Sequence, residues 1–112
     1  MSAPRLSRRL TLEEAQRVPD GSGGFGLTWV AKGVLWAEVR AGAGRERAGE
    51  SVTVSAVGYR ITVRGAPEGA PSRPRPEQRF RDGVRIYRIL SVAEADGLGL
   101  YLTCQANEEM LS

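Results

Sequence analysis

Apolar and polar positions alternate along much of this chain, and where they do the period is two. Leu10 and Leu12 outline a first apolar segment, with Val18 beyond it, although Leu12-Glu13-Glu14-Ala15-Gln16-Arg17 would also suit a short helix. Pro19-Asp20-Gly21 marks a turn, and the glycines through Gly26 continue it as a loop. From Leu27 to Val39, the residues Trp29, Val30, Val34, Leu35, Trp36 and Val39 supply the aromatic and β-branched side chains that favour strands. Gly33 predicts a bulge or a break between two halves of that stretch. Residues 41–51 follow neither period and are rich in glycine, so they predict a long loop.

The second half is more regular. Val52 and Val54 alternate with Thr53 and Ser55. Tyr59, Ile61 and Val63 alternate with Arg60, Thr62 and Arg64, which gives one apolar face and one wet face. Gly65 to Pro76 holds four prolines, which exclude an interior strand or helix and predict an extended or poorly ordered arm. Val84, Ile86, Tyr87, Ile89, Leu90 and Val92 predict a strand that is apolar on much of both faces. Asp96-Gly97 then turns the chain into Leu98, Leu100, Leu102 and Cys104, alternating with Gly99, Tyr101 and Thr103. Residues 106–112 read as a short acidic tail, and no internal repeat is visible.

Five to six short strands separated by Gly- and Pro-rich turns predict an all-β fold, a small β-barrel whose closure removes open sheet edges. At 112 residues, 1–112 reads as one domain with loops at 41–51 and 65–80. The predicted core is Trp29, Trp36, Ile61, Ile89, Leu100 and Leu102. The two tryptophans fit core packing, a subunit interface or ligand stacking, with core packing the plainest. No apolar run approaches the ~18 residues of a membrane span, so no membrane partner is expected. Met1 to Arg9 has basic residues with no apolar stretch after them, so a secretory signal is not expected and a cytoplasm is.

Residue counts narrow the chemistry. The chain has no histidine and one cysteine, Cys104, which removes intramolecular disulfides and the usual transition-metal ligands. Histidine-based nucleophile activation is excluded as well, and Lys32 is the sole lysine. The reading is a protein that is not an enzyme, with no catalytic residues, cofactor or metal. Cys104, on an alternating apolar face, fits a small buried residue better than a reactive thiol. Gly21 to Gly26 matches G-x-G-x-x-G by letter, but Leu27-Thr28-Trp29-Val30 after it favours a strand, where dinucleotide binding needs a helix.

The net charge is +3, and its distribution is uneven. Residues 73–88 carry six arginines against Glu77 and Asp82, whereas residues 89–112 carry four acids and no base. Arginine favours bidentate contacts with carboxylates and phosphates. The cluster Arg73, Arg75, Arg79, Arg81, Arg85 and Arg88 fits a solvated face, a subunit contact or a nucleic-acid footprint, with Phe80 and Tyr87 available to stack bases. The alternative function is therefore a small basic barrel that binds nucleic acid.

The order of these pieces resembles phage head-tail joining proteins, the stopper or head completion proteins of long-tailed phages and gene transfer agents. The resemblance is carried by Arg9-Leu10-Thr11-Leu12, Gly23-Gly24 before Trp29, Leu35-Trp36-Ala37-Glu38-Val39, and Tyr59-Arg60-Ile61-Thr62-Val63-Arg64. Arg79, Asp82-Gly83, Val84 to Val92 and Leu100-Tyr101-Leu102-Thr103-Cys104 continue it, so it spans residues 8–105. It departs from the family in the Gly/Ala-rich segment 41–51 and the Pro/Arg-rich segment 66–79.

The resemblance implies a β-barrel that assembles into a ring of about six or twelve copies between an adaptor or portal-side ring protein and a tail or tail-terminator protein. Packaged double-stranded DNA would lie in the channel. Such a subunit would assemble in a bacterial cytoplasm and end in the neck of the particle. It would place the loop with Arg45, Glu46 and Arg47 toward the channel. Arg73, Arg75, Arg79 and Arg81 are expected to meet a neighbouring subunit, by pairing of the basic stretch with the acidic tail of the next copy.

Overall fold

The computed structural model describes residues 3–42 and 57–109. Six strands follow in order: β1 (Arg8–Pro19), β2 (Phe25–Ala41), β3 (Gly58–Arg64), β4 (Arg79–Asp82), β5 (Arg85–Glu94) and β6 (Tyr101–Glu109). All pair antiparallel and close into a barrel in the order β1-β2-β3-β6-β5-β4, with β4 returning to β1. The hairpin β1–β2 therefore stands across the barrel from the hairpin β5–β6.

Alternation decides what faces in. Leu10 and Leu12 of β1, Ala37 of β2, Ile61 and Val63 of β3, and Phe80 of β4 are buried in one cluster. Tyr87 and Ile89 of β5 join them, with Leu102, Cys104 and Ala106 of β6. Leu35, Val39, Tyr59 and Val92 pack against its margin. A barrel of six strands needs sharp local bends, and two bulges supply them. One falls where Leu12 faces Gly33 and Glu13 faces Ala31, which leaves Lys32 as the extra residue. Gly33 there has φ +152°, a conformation L side chains rarely adopt. The other lies between Ile89 and Ser91, with Leu90 the extra residue.

The first bulge changes the phase of β2. Leu35 and Ala37 point inward, so Trp36 between them points outward and is 55 % exposed, contrary to its predicted place in the core. Leu100 is also outside the core, at 57 % exposed, because β6 begins only at Tyr101 and Leu98 and Leu100 belong to the preceding loop. Ile61, Ile89 and Leu102 are fully buried, and Trp29 is half-buried.

Three further segments differ from expectation. Residues 12–17 continue β1 and are not helical. Residues 65–78 are not a loose arm: turns close at Pro67–Ala70 and Ala70–Arg73, Pro74 is fully buried, and Ile89 of β5 donates its backbone N–H to Gln78 and accepts from Glu77. The expected acidic tail loses residues 106–109 to β6, whose pairing runs to Glu109. Arg45, Glu46 and Arg47 lie outside the described residues.

The β1–β2 ladder extends from Arg8 opposite Ala37 to Pro19 opposite Phe25. The other edge of β1 meets β4 only at Thr11 to Glu13, and the other edge of β2 meets β3 only from Ala37 to Ala41. Residues 14–19 and 25–30 thus form a two-stranded arm beyond the barrel. Asp20 holds its turn by accepting backbone hydrogen bonds from Ser22 and Gly24.

Within the core, Tyr59 and Tyr87 meet edge to face at a centroid distance of 5.0 Å. The Tyr87 hydroxyl is buried and has no hydrogen-bond partner among the described residues. Burial accordingly raises its pKa. Because an unmet buried hydroxyl costs about 1 kcal/mol or more, Tyr87→Phe is expected to leave stability unchanged or raise it by about 1 kcal/mol in urea unfolding. A loss larger than about 1 kcal/mol would mean that the hydroxyl has a partner.

Candidate interaction surfaces

The arginine cluster is arranged around acids of its own chain. Arg79 Nε lies 2.7 Å from Glu13 Oε1, and Arg81 Nε lies 3.4 Å from Glu13 Oε2. Arg75 pairs with the next acid, Glu14, which also accepts from Gln78 Nε2 at 3.3 Å and lies 3.6 Å from Lys32 Nζ. These contacts hold the Glu14 carboxyl below its ordinary pKa, the Gln78 hydrogen bond most of all. The register explains the convergence, since β4 places Arg79 opposite Glu13 on the outer face and Phe80 opposite Leu12 on the inner one. The Arg79 guanidinium also stacks 4.0 Å from the centroid of Trp29. Arg73 stands apart from this group and donates to the Ala66 carbonyl at 2.8 Å.

Two acids of the C-terminal end, Glu108 and Glu109, are likewise met by arginines of the same chain. Arg85 Nε and Nη2 donate to both oxygens of Glu108, at 2.9 and 3.0 Å. Arg88 reaches Glu77 at 2.7 Å and Glu109 at 3.6 Å. Arg85 and Arg88 thus meet acids of the C-terminal segment within one chain, because β5 and β6 lie side by side. Arg8 and Asp82 form a further pair that sequence spacing gave no reason to expect.

The Arg85 fork holds the Glu108 carboxyl below its ordinary value of 4.5. A depressed folded-state pKa means that the stabilisation is present above the unfolded value and is lost as pH falls through it toward the folded one. Glu108→Gln should therefore flatten part of the fall in stability below about pH 5, measured by urea unfolding across pH. An unchanged acid limb would show that this pair adds nothing.

Cys104 is buried, and desolvation pushes its thiol up to about 12, which suits a packing residue. Among the described residues no group of His, Cys, Asp and Glu is arranged to hold a metal ion. A recess of about 440 Å³ opens between Gly65 to Glu68, Arg73, Glu94 and Gly99.

The surface also exposes large apolar side chains. On the outer face of β2, Phe25, Leu27, Val34 and Trp36 are between 48 % and 63 % exposed. Leu98 and Leu100 protrude from the loop between β5 and β6, and Val84 from the β4–β5 turn. Sequence reading missed Phe25, Leu27 and Leu98 as surface features, since alternation alone does not say which face a barrel encloses.

Comparison with known proteins agrees with this architecture. Residues 1–109 match the phage head completion protein family. A chain from the virion of a native gene transfer agent particle is 62 % identical, with a TM-score of 0.81 over 98 % of this chain and 100 % of that one. Protein SF1141 from Shigella flexneri 2a shares the fold at 21 % identity, with a TM-score of 0.69 over 100 % of both chains. No curated protein matches significantly. A closed six-stranded barrel, with a match running through all six of its strands, means that the chain belongs to the phage head completion protein family.

Proposed function

We propose that this chain is a structural subunit of the neck of a phage-like particle of the gene transfer agent type. In that role a ring of copies completes the DNA-filled head and joins it to the tail. The observation that carries this reading is the 62 % identity, over nearly the whole length, to a chain of a gene transfer agent virion. The protein acts by shape and contact, without chemistry of its own. A closed barrel suits the task, because a ring subunit must hold its form while its surfaces meet several partners.

The partners in this reading are further copies of the chain, an adaptor or portal-side ring, a tail protein and the packaged DNA. Ala41 and Tyr59 pair at the end of the barrel away from the arm, and the segment between Gly42 and Val57, with Arg45, Glu46 and Arg47, is the part we assign to the channel. The nucleic-acid-binding alternative gains little support, since Arg75, Arg79, Arg81, Arg85 and Arg88 already face carboxylates. Quantitative mass spectrometry of purified particles, with electron cryomicroscopy of the head-tail junction, tests the proposal. Several copies per particle with barrel density at the junction are expected, and purified particles without the chain would overturn it.

A further inference from the structure

We infer that the arm of one subunit docks on the 94–100 loop of the next copy of this chain, an interface that rests on the ring reading above.

Topology supplies the first argument. The arm is the distal part of the β1–β2 hairpin, and the loop joins β5 to β6, the hairpin across the barrel. Both lie at the same end, because β1 runs toward the arm, β5 runs parallel to it, and β2 and β6 run back. A head-to-tail contact in a closed ring joins two different patches on opposite flanks of the subunit, at one height along the axis. With the barrel standing along the ring axis, arm and loop satisfy that condition.

Surface chemistry supplies the second. Phe25 and Leu27, at alternate positions on one face of the arm, are 61 % and 63 % exposed. Leu98 and Leu100 in the loop are 77 % and 57 % exposed. Charge is complementary at the same places. Arg17, opposite Leu27 in the ladder, stacks 4.7 Å from the centroid of Phe25 and has no carboxylate partner among the described residues. The other charge on that face, Glu13, is already held by Arg79 and Arg81. The loop carries Glu94 and Asp96 and no cation, and neither acid has a cation partner among the described residues.

The arm itself also calls for a partner. A two-stranded ribbon with no sheet behind it is marginal in water, and its open edges invite a partner. Docking on the neighbouring barrel would cover the apolar face of the arm and set its angle.

The test uses assembled particles carrying Leu27→Cys, Leu98→Cys or both, with Cys104 left buried. Each preparation is treated with a short bis-maleimide, and the copies of the chain per particle are counted by mass spectrometry. The double variant is expected to give a ladder of subunit multiples on a denaturing gel, and each single variant only monomer. Multiple copies per particle without a ladder would overturn the arm-loop interface while leaving the ring intact. A dimer from Leu27→Cys alone would show arms packing on arms and would overturn it too. One copy per particle, or none, would instead remove the ring reading and this interface with it.

Discussion

Arg79→Ala is expected to destabilise the isolated subunit by about 3–5 kcal/mol, the scale of breaking a buried ion pair from one side. The Arg79 and Glu13 side chains are only 10 % and 11 % exposed. With Arg79 gone, Glu13 keeps only Arg81, whose side chain is 46 % exposed and whose nitrogen stands 3.4 Å away. Trp29 also loses the guanidinium stacked over it. Arg75→Ala provides the contrast, since that side chain is 62 % exposed and should cost less than about 1 kcal/mol. Urea unfolding of both variants checks the pair, and similar small losses would show that burial does not distinguish them. A domain with about 5–15 kcal/mol in hand would keep Arg79→Ala folded except at the low end of that range, where the margin is exhausted.

Phe80→Ala should cost a similar amount, about 3–5 kcal/mol, for a different reason. Phe80 is fully buried and is the residue of β4 that enters the core cluster. Because β4 is four residues long and closes the barrel between β1 and β5, a cavity there weakens the seam as well as the core. Faster hydrogen exchange at β4 and at the facing parts of β1 and β5 is expected to accompany the loss. Protection unchanged in β4 despite a lower global stability would contradict the view that Phe80 holds the seam.

The strands with one clean alternation were legible from the sequence. Tyr59 to Arg64 shows its inward and outward faces directly, and β3 follows it nearly residue for residue. Gly33 marked the bulge because no other residue type accepts its backbone conformation so readily. The strand β4 was not legible, since Arg79-Phe80-Arg81-Asp82 offers one apolar residue among three charges. Its arginines are tolerable in a sheet only because Glu13, 66 positions earlier, lies beside them. Trp36 was misplaced for a related reason: a bulge inverts the phase, and composition cannot say on which side of it the barrel interior lies.

The surfaces were harder to read than the core. Six arginines in sixteen residues look like free positive charge until the fold sets Glu13, Glu14, Glu108 and Glu109 against them. Prolines in 65–78 forbid regular structure but do not forbid a packed path, and Pro74 and Gln78 are buried along it. Gly65 fits there because a Cβ would meet the Gly99 carbonyl oxygen at 1.9 Å, where Gly65 also donates to Leu100. These are contacts between residues distant in sequence, and local pattern carries no trace of them.

The central claim is that the chain completes the head and joins it to the tail. Deleting its gene in the host and imaging the particles by electron microscopy tests that claim most directly. The account predicts tailless heads with DNA lost or poorly retained, restored by the wild-type gene supplied in trans. Normal tailed particles from the deletion strain would contradict it.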